Sequence, residues 1–98
     1  MTTPEPAAEG GQAVGPPPGA FDPDWVVAVA RQHDPGLPVE TAGVLAGQAW
    51  QALKEIGELD APALARALLA ANPDVGASPC SVVASAAVGF CTEYGVAP

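Results

Sequence analysis

From residue 21 onward, apolar side chains return every three or four positions in four separate runs, and each run is bounded by proline, glycine or a capping side chain. The first predicts a helix over 23–32. Asp22 stands ready to cap it, Pro23 suits the first helical position, and Asp24 complements the positive end of the dipole. Trp25, Val26, Val29 and Ala30 form its inward face, and Asp34-Pro35-Gly36 ends it. The second run follows Pro38 and predicts a helix over 39–56, closed by Gly57. Here Leu45, Ala46, Ala49, Ala52, Leu53 and Ile56 recur at helical spacing, while Gln48, Gln51, Lys54 and Glu55 fall largely outside that set. Asp60-Ala61-Pro62 opens a third helix over 61–71, carried by Leu64, Ala67, Leu68 and Ala71 and closed by Asn72-Pro73.

The fourth run, "SPCSVVASAAVGFCTEYG", holds both cysteines. Ser78-Pro79 repeats the cap-and-proline signal, which predicts a helix over 79–94. At 100° per residue, positions eleven apart return to within about 20° of each other, so Cys80 and Cys91 share a face. Val83, Ala84, Ala87 and Tyr94 share it too, whereas Ser81, Ser85, Gly89 and Thr92 form a polar strip with Val82 as a misfit beside it. Eleven residues at about 1.5 Å rise separate the thiols by about 16 Å, which rules out a disulfide between them on one helix. Cys91 reads as a small buried hydrophobe. Cys80 falls at the second position of the predicted helix, where unpaired N–H groups favour a thiolate, and is therefore the candidate reactive thiol.

No run alternates with period two between turn residues, so no strand is predicted. The short connections predict an all-α, four-helix bundle-like domain over 21–98, with neighbouring helices roughly antiparallel. Residues 1–20 differ in kind: MTTPEPAAEGGQAVGPPPGA has no apolar period and only Glu5 and Glu9 as charges, and reads as a disordered, Pro/Gly-rich arm. The remaining stretch is short. A domain of that size buries only about 60% of its unfolded surface, and its core supplies about 3–5 kcal/mol, so a partner or self-association would help it.

Charge narrows the partners. Eleven acidic residues face three basic ones, Arg31, Lys54 and Arg66, which argues against nucleic acid as a partner because phosphate neutralisation needs clustered cations. No apolar run reaches membrane-span length and no signal-peptide pattern opens the chain, so the expected setting is the cytoplasm or a larger assembled particle. Two cysteines and His33 are not at metal-ligand spacing, and no phosphate loop, nucleophile elbow or carboxylate pair appears. No cofactor, metal or catalytic residue is therefore expected.

What remains is a non-enzymatic helical module working through protein contacts: an adaptor, an assembly component or an accessory part of a phage or other multiprotein particle. Trp25 and Trp50 are candidate interface anchors, since tryptophan is over-represented among residues that dominate binding energy. Gly43 and Gly47, one turn apart, would let another helix approach the second helix closely. An acidic inhibitor of a basic binding site is an alternative consistent with the charge. A further alternative comes from "ALARALLAANPDVGA", which resembles the end of a leader in precursors of ribosomally made, modified peptides. The segment after it resembles a lanthipeptide core over 78–98, with Ser81, Ser85 and Thr92 for dehydration and Cys80 and Cys91 for thioether closure. That resemblance implies a recognition leader over 1–77.

Overall fold

The computed structural model describes residues 20–98. Apart from the exposed Ala20, the expected arm lies outside the described residues. Four helices follow in order: α1 (Pro23–His33), α2 (Val39–Ile56), α3 (Ala61–Ala71) and α4 (Ala77–Tyr94). No strand occurs among the described residues. The fold is all-α.

Local chemistry accounts for the ends. Asp22 Oδ1 accepts from the Asp24 N–H at 3.0 Å and Asp60 Oδ1 accepts from the Ala63 N–H at 3.0 Å, each supplying a partner for an N–H that the helix leaves unpaired. α1 runs one residue past the predicted end and takes His33 into its last turn, where a basic side chain suits the negative end of the dipole. α4 starts two residues earlier than predicted. Its N-cap is Gly76, with no side-chain cap, and Ser78 and Pro79 fall inside the first turn. Pro79 is tolerated there because N–H groups of the first turn have no intrahelical acceptor to lose.

Two glycines decide how α4 is bounded. Gly76 has φ 95° and ψ 163°, a region essentially restricted to glycine. It lets the chain leave the turn at Asn72, closed by a Val75 N–H to Asn72 carbonyl bond of 3.0 Å, and enter α4. Gly95 takes a left-handed φ of 67°, and the following Val96 N–H donates to the Cys91 carbonyl at 3.0 Å. Val96 is itself buried, so this is the hydrogen-bonded and apolar helix stop that glycine at this position permits. The Asn-Pro and Gly-Ala steps that carry the leader resemblance thus have structural roles in the α3–α4 connection.

α4 packs against all three other helices, α2 packs against α1 and α3, and α1 and α3 do not meet. In cross-section the bundle is a rhombus with α2 and α4 on the short diagonal. Being surrounded requires α4 to be apolar over a wide arc. Cys80, Val83, Ala84, Ala86, Ala87, Phe90 and Cys91 are its buried residues, about 160° of its circumference at 100° per residue. Opposite it stand Ala42, Leu45, Ala46, Ala49 and Leu53 of α2, with Leu64 and Leu68 of α3 and Val26 and Ala30 of α1 at the sides. Among the described residues no polar or charged side chain is fully buried. Many of the central contacts are alanines, so α2 and α4 can approach closely, while Phe90, the largest fully buried side chain, fills one end.

Candidate protein interaction surface

Both thiols belong to the core. Cys80 and Cys91 are free and buried, and burial pushes the pKa of each upward from the ordinary 9.0. For Cys80 this is the reverse of the direction expected from a position at the helix start. The earlier helix boundary makes Cys80 the fourth helical residue, and its sulfur lies on the inward face that the spacing predicts, where desolvation of the thiolate decides the sign. His33 is exposed at the end of α1, whereas Cys80 is shut off from solvent.

The two tryptophans belong to a cluster that uses every aromatic side chain of the sequence. Phe21 stacks on Trp50 with ring centroids 5.0 Å apart and meets Phe90 edge-on at 5.3 Å. Phe90 in turn meets Trp25 at 5.3 Å and Tyr94 at 4.9 Å. The segment before α1 is thereby tied to α1, α2 and α4, with edge-to-face pairs each contributing about 0.5–1.5 kcal/mol beyond area burial. Lys54 places its ammonium 5.5 Å from the Trp50 ring, which keeps this cation on the aromatic side of α2.

Of the outer grooves that flank this core, two hold candidate interface residues. One lies between α1 and α4, with a volume of about 490 Å³. Trp25, Val29, Val82 and Ala86 supply its apolar surface, and Ser81, Ser85 and His33 its polar rim. Val82, the misfit in the polar strip, is half-buried here. The lining includes no carboxylate that could orient His33 as a base toward either serine, so the arrangement lacks the third member of a nucleophilic triad.

The other groove runs between α2 and α3. Its larger part, about 520 Å³, is bounded on α2 by Gly43, Val44, Gly47, Gln48, Gln51 and Glu55, and on α3 by Ala67, Leu68 and Ala71. A smaller hollow of about 230 Å³ shares Val44 and continues past Asn72 and Val75 to Glu40. On α2, residues 40, 44, 47, 51 and 55 make one continuous stripe at helical spacing. Val44 is 53% exposed, the most exposed large hydrophobic side chain among the described residues. One polar link crosses between the helices: the Asn72 side-chain N–H donates both to Gln48 Oε1 and to the Leu68 carbonyl.

Gly43 and Gly47 are exposed, and a Cβ added to either would find nothing within 4 Å apart from its own helix and adjacent residues. No other helix among the described residues approaches them closely. Trp25 lines the α1/α4 groove and Trp50 lines neither, so the four sequence-derived interface residues divide among three places. Sequence reasoning missed Val44 and assigned Ala67 and Ala71 to the apolar face of the third helix, whereas Ala67 is half-buried, Ala71 is exposed and both line the groove. Val44 was detectable as an apolar residue on the polar side of α2, but pairing it with α3 needs the packed structure.

Among the described residues no group of three or more His, Cys, Asp or Glu side chains could hold a metal ion, and no helix is long and apolar enough to cross a membrane. No family model, curated protein or solved structure matches the chain.

Proposed function

We propose that the chain is a non-enzymatic helical module that works by contact with another protein, and that the α2/α3 groove makes this contact. One observation carries the reading: on the exposed face of α2, Gly43 and Gly47 stand one turn apart where no neighbour among the described residues crowds them, whereas α4 has a single such glycine, Gly89. Neither is among the positive-φ glycines, and neither is crowded by a neighbour. Each costs about 0.5–1 kcal/mol relative to alanine, in a domain whose size leaves little stability to lose. A local rule broken without internal gain is characteristic of functional surface. The glycines lie beside Val44 in an open apolar groove, a site suited to the close approach of a second backbone. An adaptor or assembly component, in the cytoplasm or within a larger particle, fits this surface.

The test starts with affinity capture from the native source, using the full chain and its Gly47→Leu variant. A captured protein is then purified and titrated against both chains. The expected result is binding by the parent and at least about tenfold weaker binding by the variant, with unchanged helical circular dichroism. Equal affinities would overturn the assignment of the groove. A native product dehydrated at Ser81, Ser85 or Thr92 and cleaved near Gly76 would replace the module with a peptide precursor.

A further inference from the structure

We infer that the α1/α4 groove is covered by the chain's own Val14-Gly15-Pro16-Pro17-Pro18 segment, turned back along α1 from the Ala20–Phe21 junction. The segment lies outside the described residues, but the point where it joins the bundle does not. Phe21 is fixed between Trp50 and Phe90, and Trp25, which lines the groove, belongs to the helical turn that follows. Gly19 alone separates Pro18 from Ala20, so the proline run is tethered close to the Trp25 end of the groove. The α2/α3 groove and the hollow between α3 and α4 are built without α1, and α1 and α3 do not meet, so both open farther round the bundle from the arm's origin. The length also matches. Trp25 and His33 mark the two ends of the groove on α1, eight residues or about 12 Å apart along the axis. Consecutive prolines favour the polyproline II helix, which at about 3.1 Å per residue covers that distance in about four steps, the separation of Val14 from Pro18. Gly19 stands where the chain must reverse.

Polarity points the same way. Three prolines bring no N–H to be buried without a partner, and the carbonyls of a polyproline helix have no internal donor. The groove presents the complementary set: the Ser81 and Ser85 hydroxyls and the His33 ring can donate from the rim, over a floor of Trp25, Val29 and Val82. Thr92 directs its hydroxyl to the Val88 carbonyl at 2.9 Å, whereas among the described residues neither groove serine's hydroxyl is hydrogen-bonded. Trp25 is braced by Phe90 at 5.3 Å and by Tyr94 at 5.9 Å, which gives proline rings a fixed aromatic platform of the kind that proline-rich segments dock on. Residues 10–20 carry no charge, so docking them adds no carboxylate to the surface of a molecule whose net charge is −8. A short tether holds the segment at an effective concentration of about millimolar, which favours the chain's own arm over the same segment of another copy.

The test attaches a nitroxide to Ala13→Cys in the full, isotopically enriched chain and reads the broadening of backbone amide resonances. Cys80 and Cys91 are buried, so the added thiol is the one accessible to the reagent. A docked arm carries the label to the far end of the groove and should broaden His33, Ser81 and Val82 more than Lys54, which sits beside Trp50 near the arm's origin. An arm that leaves the groove empty reverses this order, because its label stays closest to the point of attachment. Two further variants of the labelled chain should bring about that reversal with helical circular dichroism unchanged. One is Pro16→Ser/Pro17→Ser/Pro18→Ser; the other is Val82→Lys, which puts a charge on the half-buried floor of the groove. Stronger broadening at Lys54 than at His33 in the parent chain would overturn the inference, as would a parent pattern that survives the triple proline substitution. Broadening of the groove resonances in an enriched, label-free chain mixed with nitroxide-bearing chain would assign the groove to another copy's arm and overturn it too.

Discussion

The aromatic end of the bundle and the α2/α3 side solve the same geometric problem in opposite ways. At the aromatic end, Phe21, Trp25, Trp50, Phe90 and Tyr94 close the space between α1, α2 and α4 with interlocking rings. At the α2/α3 side the residues in the equivalent outer position are Gly43, Gly47, Ala67 and Ala71, and the space stays open. A chain with only five aromatic side chains has concentrated them in one region that holds the fold together. In a small domain, large side chains serve folding first, while a contact surface can be made from small ones.

The contrast can be broken most severely at Phe90. Phe90→Ala empties the centre of the ring cluster and should cost about 3–5 kcal/mol, as for other buried aromatics. That is comparable with the whole stability expected of a domain this small. Loss of the cooperative urea transition is the expected result; a midpoint within experimental error of the parent would refute the structural role of the cluster. A smaller effect is expected at the turn leading into α4. Gly76→Ala places a side chain in a glycine-only backbone region and should cost about 1–3 kcal/mol, read as a lower unfolding midpoint.

The thiols sharpen the comparison by pH. Burial raises both pKa values in the folded chain, so near neutral pH both thiols are protonated in either state. As pH rises past the unfolded value, the unfolded chain releases protons that the folded chain retains. Their stabilising contribution, fully present below about pH 9, is therefore lost as pH climbs toward the folded values. The urea midpoint should fall as pH is raised through and above about 9, and less so in Cys80→Ala/Cys91→Ala after allowance for its lower starting stability. An equal fall in both chains would show that the thiols are not the source.

Much of the fold is legible in local chemistry. Asp22, Pro23, Asp60 and Gly57 mark helix ends by hydrogen-bonding needs that act within a few residues, and the three-four spacing assigns faces. The start of α4 was less legible because Ser78-Pro79 imitates a cap, while the residue that bounds the helix is Gly76, through its backbone conformation. Phe90 could have been placed in the core from its position one heptad after Val83. Its five-ring cluster could not, since that depends on how α1, α2 and α4 meet. Gly43 and Gly47 were visible as a close-approach pair, but a sequence does not show whether the approaching helix is internal. Cys80 shows a related limitation: the spacing put it on the inward face, but whether burial outweighs the helix start depends on how completely α4 is covered.

The smallest predicted effect is also the most direct test, because it asks whether the fold uses the groove glycines at all. Gly47→Ala should raise the midpoint of urea unfolding, corresponding to a gain of about 0.5–1 kcal/mol, since alanine favours an exposed helix interior and its Cβ meets open space. A lowered midpoint would contradict the account, showing that Gly47 serves packing within the chain and that the α2/α3 surface needs no outside occupant to explain it.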